Sequence, residues 1–144
     1  MKYKVRAYHK PGKMNQLEKS YANHLALLKA AGEIEDFAFE PEKLRIGDNC
    51  HYTPDFRVIR NDKEIDSKMK LLLQHPDIEL ISGGTIEFHE VKAAWKVKGK
   101  PGEVKPHCED DALVKIKAAA NGMHPYKFIM VWLNNGKWEQ REFN

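Results

Sequence analysis

The 144-residue chain is poor in cysteine, with only Cys50 and Cys108. Two cysteines are too few for a disulfide framework and nothing points to export, so a reducing, cytoplasmic setting is the expectation. The chain also lacks any apolar run near the roughly 18 residues that a membrane helix needs. With 31% of its residues charged, no membrane is expected as a partner. Residues 1–13 are basic with no apolar run behind them, which is not the pattern of a secretory signal. Internal repeats and low-complexity segments are missing too. So is a strong charge of one sign: 24 Lys and Arg against 21 Asp and Glu leave a net charge of +3. That bias permits a polyanionic partner without demanding one, because the clustering of charges decides.

What is present is enough apolar side chain, 42% of residues, for one core in a single domain, with too little chain for two ordinary domains. Residues 14–31 have a helical pattern, with Leu17, Tyr21, Leu25 and Leu28 at spacings of three and four. Asn15 suits the N-cap, Glu18 three residues on completes a capping box, and Gly32 suits the far end. The period then turns to strand. Residues 34–40 contain Phe37 and Phe39 and are closed by Pro41; a short piece at 43–46 precedes the turn Gly47-Asp48-Asn49; residues 51–60 and 85–91 follow, the latter introduced by Ser82-Gly83-Gly84. The stretch 61–81 is longer than a hairpin needs and reads as an insertion, in which 67–74 fits either a helical turn or an extra strand. Residues 96–106 read as a second insertion, a basic loop with Gly and Pro. A helix at 110–121 carries Leu113, Ile116, Ala119 and Ala120 on one side. An apolar strand at 126–133, the tight turn Asn134-Asn135-Gly136 and a last strand around 138–143 complete the chain. This order predicts an α/β (α+β) sandwich, a mixed sheet with a helix against each face.

The chemistry concentrates in Tyr52-Thr53-Pro54-Asp55-Phe56 and Glu87-Phe88-His89-Glu90-Val91-Lys92. Alternate side chains of a strand share a face, so Glu90 and Lys92 project together. If the strands at 51–60 and 85–91 pair antiparallel, the start of one lies beside the end of the other and Asp55 faces that pair. Two carboxylates and a lysine converging in this way suit phosphodiester hydrolysis. Carboxylates are hard oxygen ligands for Mg2+, and a lysine can orient the attacking water and offset charge developing on phosphate. A lysine beside a bound cation is expected to have a depressed pKa.

Pro54-Asp55 followed by Glu90-Val91-Lys92 at a strand end resembles the signature of the PD-(D/E)xK nuclease superfamily. More narrowly, the runs 18–32, Phe39-Glu40-Pro41, Tyr52 to Phe56, Ile86 to Lys92 and 111–119 are similar to a family of short phage and prophage proteins placed in that superfamily, over most of the chain. The resemblance implies a single restriction-endonuclease-like domain across residues 1–144. It also implies a catalytic set of Asp55, Glu90, Lys92 and Glu18, the last being the glutamate that the superfamily often places on its first helix. The implied metal is Mg2+, for which Mn2+ can substitute, held by Asp55, Glu90, Glu18 and the backbone carbonyl of Val91. DNA is the implied partner and a homodimer the implied assembly. Branched DNA, such as a Holliday junction in phage recombination or replication, is the implied target, by analogy alone.

Several residues carry two readings. Glu18 is a metal-site carboxylate or a capping-box residue. Lys115, on the second helix, reaches a phosphate or belongs to a solvated face; for Lys117 the solvated face is preferred, and for Asp111 a helix cap. Lys96, Lys98, Lys100 and Lys105, near Trp95, neutralise a DNA backbone or form a solvated loop. Cys50-His51 and His107-Cys108 mimic a Cys2His2 set, but each pair lacks the usual gap of structural zinc sites. His89 alternates away from Glu90 and reads as a packed or surface histidine rather than as a general base. Trp132 is assigned to the core, and Trp138 to the core in preference to base stacking. Two rival functions differ in class: a DNA-binding protein with an inactive nuclease fold, and a phage structural or packaging partner docking through the apolar piece at 69–73.

Overall fold

A computed structural model describes residues 12–62 and 84–144. The basic arm expected at the N-terminus and nearly all of the 61–81 insertion, with its apolar piece at 69–73, lie outside the described residues. The first helix, α1 (Gln16–Ala30), starts as its sequence asks. The Glu18 amide donates to Asn15 Oδ1 and the Asn15 amide to Glu18 Oε2, both at 2.8 Å, a reciprocal cap contributing about 1 kcal/mol. It stops at Ala31, after which Gly32 takes a positive φ of 78°, a conformation that side chains resist.

The remaining elements are β1 (Ile34–Phe39), β2 (Leu44–Gly47), β3 (Cys50–Tyr52), β4 (Phe56–Arg60), β5 (Ile86–Lys92), β6 (Ala94–Lys96), β7 (Val104–Pro106), α2 (Asp110–Gly122), β8 (Lys127–Asn134) and β9 (Lys137–Phe143). Five strands form one sheet in the order β1-β4-β5-β8-β9. β5 and β8 run parallel and the other neighbours antiparallel, so the sheet is mixed. The parallel pair requires a long crossover, which carries α2. β8 returns into β9 through Asn135 and Gly136, both at positive φ (49° and 76°), the geometry of a type I′ turn and the reason for Asn-Gly there.

Two sequence expectations need correction. Residues 51–60 are not one strand: the chain breaks at Thr53-Pro54-Asp55 into β3 and β4, because Pro54 has no amide to give a ladder. Residues 96–106 are not simply a loop: β6 and β7 pair antiparallel, with Trp95 opposite Lys105, as a ribbon inserted between β5 and α2.

Each face of the sheet has its own core. On one side Tyr21 and Leu25 of α1 pack on Ile34, Phe56, Val58, Val91, Ile129 and Val131. On the other, Ile116, Ala119 and Ala120 of α2 pack with Tyr52, Phe88, Phe128, Met130 and Phe143. The helix against each face follows from the period-two alternation of β5, whose buried Val91 and Phe88 point opposite ways. Phe56, Phe128 and Leu25 are fully enclosed, and truncating any of them to alanine costs about 2–5 kcal/mol. Among the described residues no helix is long and apolar enough to cross a membrane.

Gly84, just before β5, lies against the last residue of β4: a Cβ there would lie 1.7 Å from the Arg60 carbonyl oxygen. That oxygen belongs to a strand and cannot step aside. Gly84→Ala is therefore expected to destabilise by about 1–3 kcal/mol or more. Gly122→Ala, whose Cβ would meet nothing within 4 Å, is expected to be neutral or to stabilise by up to about 1 kcal/mol. Urea unfolding of the two variants checks the contrast; equal stabilities would contradict the close approach.

Candidate active site

The β4–β5 register pairs Phe56 with His89 and Arg57 with Phe88. One step further along, Asp55 and Glu90 come alongside. At that point the β4 ladder has ended and a side chain replaces it: the Val91 amide donates to Asp55 Oδ2 at 2.7 Å. On the other side of Asp55 the backbone stays tied to β1, where the Glu40 amide donates to the Asp55 carbonyl at 2.8 Å. Asp55 is thereby held from two sides, its carboxylate by β5 and its backbone by the residue that follows β1.

Glu90 is fixed from three directions. Tyr52 donates its hydroxyl to Glu90 Oε2 at 2.8 Å, Lys92 Nζ lies 2.9 Å from Glu90 Oε1, and the strand itself sets its face. The Glu90 and Lys92 side chains are 12% and 22% exposed, so their pair is shielded but reachable. Asp55 has its pKa held well above the usual carboxylate range, first by burial and then by the Glu90 charge, with Glu18 adding to it; the Val91 amide and Lys92 pull the other way without prevailing. Two carboxylates therefore share a space that favours a cation.

Burial pulls the pKa of Lys92 down, but the Glu90 charge and hydrogen bond, and then Asp55, outweigh burial, and the net shift in the protein alone is upward. The depression expected of this lysine belongs to a site with a bound cation, a different set of neighbours.

Glu18 is buried, at 5% exposed. It forms the capping box, and its charge also raises the pKa of Asp55. Among the described residues, however, no three of His, Cys, Asp and Glu gather as a ready metal-holding group. The close carboxylates are a pair, Asp55 and Glu90. The Cys2His2 arrangement does not assemble either; Cys108 instead sits near Lys92 and Glu90, burial raising its pKa foremost.

Beside Glu90 opens a cavity of about 290 Å³ lined by His51, Tyr52, Thr53, Glu90, Asp111, Ala112 and Lys115. Lys115 thus reaches the site, while Lys117 is exposed on the helix. Asp111 is not the helix cap: Glu109 holds that position, without a side-chain capping bond, and Asp111 lies in the first turn, where a carboxylate complements the helix dipole. Lys96 and Lys100 do not line this cavity. They border a different concavity of about 490 Å³, between the β6–β7 ribbon and Asn134-Asn135, with Lys98 in the ribbon's turn. Tyr52, His51 and Thr53 are site residues that sequence reasoning passed over. Their proximity to Asp55 in the chain was the available signal.

The opposite face of β5 carries a buried polar chain. Arg60 Nε donates to Glu87 Oε2 at 3.0 Å, the same oxygen lies 2.9 Å from His89 Nε2, and His89 Nδ1 is 2.5 Å from the Tyr21 hydroxyl. Burial opposes the ionisation of Glu87, but the hydrogen bond from His89 and the nearby Arg60 outweigh it, and its net pKa is lowered. An ionised carboxylate only accepts, so His89 Nε2 carries a proton toward Glu87; in the neutral ring Nδ1 then accepts from Tyr21, whose own pKa is pushed up by burial. Of the packed and surface positions that its alternation allows, His89 takes the packed one. The chain of bonds ties α1 to β5 one helical turn from Glu18. Trp138 packs on Tyr21, with ring centroids 4.7 Å apart, and Trp132 is partly buried against the second core, its indole N–H bonded to Glu139.

Comparison with known families, with curated proteins and with solved structures finds no match, so the functional reading rests on the chain's own residues and geometry.

Tyr21→Phe removes the donor to His89 and leaves a buried ring nitrogen unsatisfied. It is expected to cost about 1–3 kcal/mol of stability. Lys29→Ala, which breaks a half-exposed pair with Asp36, is expected to cost under about 1 kcal/mol. Denaturant unfolding compares them; a Tyr21→Phe protein as stable as the parent would show that the hydroxyl is dispensable.

Proposed function

We propose that this protein is a divalent-metal-dependent nuclease that hydrolyses phosphodiester bonds of DNA. The observation that carries the reading is the convergence of Asp55 and Glu90 at the end of the β4–β5 ladder, with Lys92 paired to Glu90 at 2.9 Å. The donor set fits a hard cation such as Mg2+ or Mn2+: two carboxylates, crowded enough that Asp55 is pushed toward its neutral form in the protein alone. Asp55 and Glu90 would hold the ion, with Glu18 acting from the helix behind them. The Val91 carbonyl is a further donor, because a residue's N–H and C=O leave a strand on the same side, and its N–H already faces Asp55. When bound, such an ion supplies charge neutralisation at the phosphate and a more acidic water.

The chain's own groups supply the rest. Lys92 is anchored by Glu90 and is positioned to orient an attacking water and to balance charge that builds on the phosphate oxygens. Tyr52 and the Val91 amide hold the two carboxylates in place, so little reorganisation is needed when a substrate arrives. Lys115 lines the cavity beside Glu90 and offers a cation to the phosphodiester there.

Two outcomes check this reading. Mg2+ or Mn2+ is expected to raise the melting temperature, by an amount equivalent to about 2.7 kcal/mol at a hundredfold excess over Kd. Asp55→Asn is expected to melt at or above the parent without metal, since it removes a buried, repelled charge, and to lose the metal response. The second outcome is cutting: Asp55→Asn and Lys92→Ala are expected to abolish cleavage of a panel of linear, flapped and four-way DNA, while Ca2+ supports binding with little cutting. A folded, fully active Lys92→Ala, or a chain that neither responds to metal nor cuts any member of the panel, would overturn the assignment and favour an inactive DNA-binding protein.

A further inference from the structure

The β6–β7 ribbon leaves β5 directly after Lys92 and is closed at its base by the His107 amide donating to the Ala93 carbonyl at 2.7 Å. Cys108, the next residue, lies near enough to Lys92 and Glu90 for their charges to act on its thiol. The base of the ribbon therefore adjoins the candidate site. It carries four lysines (Lys96, Lys98, Lys100, Lys105) against one glutamate, Glu103. At its centre Trp95 is 59% exposed.

A lone exposed apolar side chain is ordinary; the surroundings of Trp95 set it apart. The indole lies directly across the ribbon from Lys105, so the two share a face. His107 meets it at 5.2 Å between ring centroids and an interplanar angle of 71°, a contact that braces one ring by the edge or face of the other. Among the described residues the other two tryptophans are partly buried and packed on the sheet. A braced, exposed indole next to cations is the arrangement on which an unstacked base and its phosphate bind together. A paired base inside a duplex offers no free face to such a ring.

Resting on the nuclease reading above for its use, we propose that the β6–β7 ribbon is a binding site for unpaired DNA, with Trp95 stacking on an exposed base and Lys105 meeting the adjacent phosphate. The substrate class that follows is DNA with unpaired bases close to the scissile phosphate, as at a flap or branch, delivered from the ribbon toward Glu90 and Lys92.

The test uses the full chain in Ca2+ or EDTA, so that binding is read without cutting. The probes are single-stranded oligothymidylate of about 12 nucleotides and a blunt duplex of the same length. Oligothymidylate is expected to quench the tryptophan fluorescence of the parent but not of Trp95→Phe. Trp95→Ala is expected to weaken oligothymidylate binding about ten- to a hundredfold and duplex binding by less than about twofold, with Trp95→Phe retaining most of the affinity. Because Trp95 is exposed, an unchanged melting temperature verifies that both variants fold. Losses of equal size on both probes, unchanged oligothymidylate binding by Trp95→Ala, or quenching that survives Trp95→Phe overturns the proposal. The two readings fail separately. A chain that binds through Trp95 but cuts nothing sinks the nuclease alone, whereas Asp55-dependent cutting with binding indifferent to Trp95 sinks the stacking site alone.

Discussion

The bond from the Val91 amide to Asp55 Oδ2 sits where a backbone ladder runs out. β4 begins at Phe56 because Pro54 breaks the chain before it, so the amide of Val91 on β5 meets no backbone carbonyl at that level. Left unpaired in a partly buried place, it would cost about 1–3 kcal/mol. Asp55 satisfies it and in doing so is carried next to Glu90, at an electrostatic cost that burial enlarges. The placement depends on the β4–β5 register as well: a slip by one residue would turn Glu90 and Lys92 to the α1 face and Val91 and His89 to the other. Register, in turn, is held by the apolar alternation of Phe88 and Val91, which feed opposite cores.

The two faces of β5 divide the polar residues between rigidity and reactivity. Toward α1, Glu87 and His89 are consumed by bonds to Arg60 and Tyr21, and every member of that chain has its partner. Toward α2, Glu90 and Lys92 are bonded to each other and to Tyr52, yet border an open cavity. A polar network in a core is costly when incomplete and stiffening when complete. Here the completed network lies directly behind the exposed pair and fastens the helix that carries Glu18. Distance between the catalytic candidates is thus set partly by residues that never reach the cavity.

Much of this was legible in the chain because it depends on local rules. The capping box of Asn15 and Glu18, the I′ turn at Asn135-Gly136 and the shared face of Glu90 and Lys92 each follow from spacing alone. Asp55 required one further assumption, that its strand pairs antiparallel with β5, and the register satisfies it. Tyr52 was missed because its partner Glu90 is 38 residues away, and no period encodes that. The ribbon was missed for a different reason: Lys, Gly and Pro dominate residues 96–106, and composition of that kind reads as loop even when Val104 and Trp95 supply a short ladder. The titration of Lys92 in the chain alone was not legible either, because it is set by Glu90 and Asp55, brought beside it by the strand face and the register.

Charge balance connects the site to the surfaces around it. Asp55, Glu90 and Lys92 together carry one net negative charge when all are ionised, and a phosphodiester brings another. Unaided, the pair would repel the substrate that the nuclease reading assigns to it. A divalent cation has the charge that cancels both, which is the physical reason for a metal in that reading. In that reading the cations further out, Lys115 at the cavity and the ribbon lysines beyond Lys92, would meet phosphates that the metal does not touch. Their effect is screened within about 8–10 Å at physiological salt, so they would act on a strand locally, one phosphate at a time. A strand held by both sets would lie with its backbone against lysines and its reacting phosphate against carboxylates. On the nuclease reading the acidic pair is then no obstacle to binding DNA: it would mark the place along the strand where a metal comes between protein and phosphate.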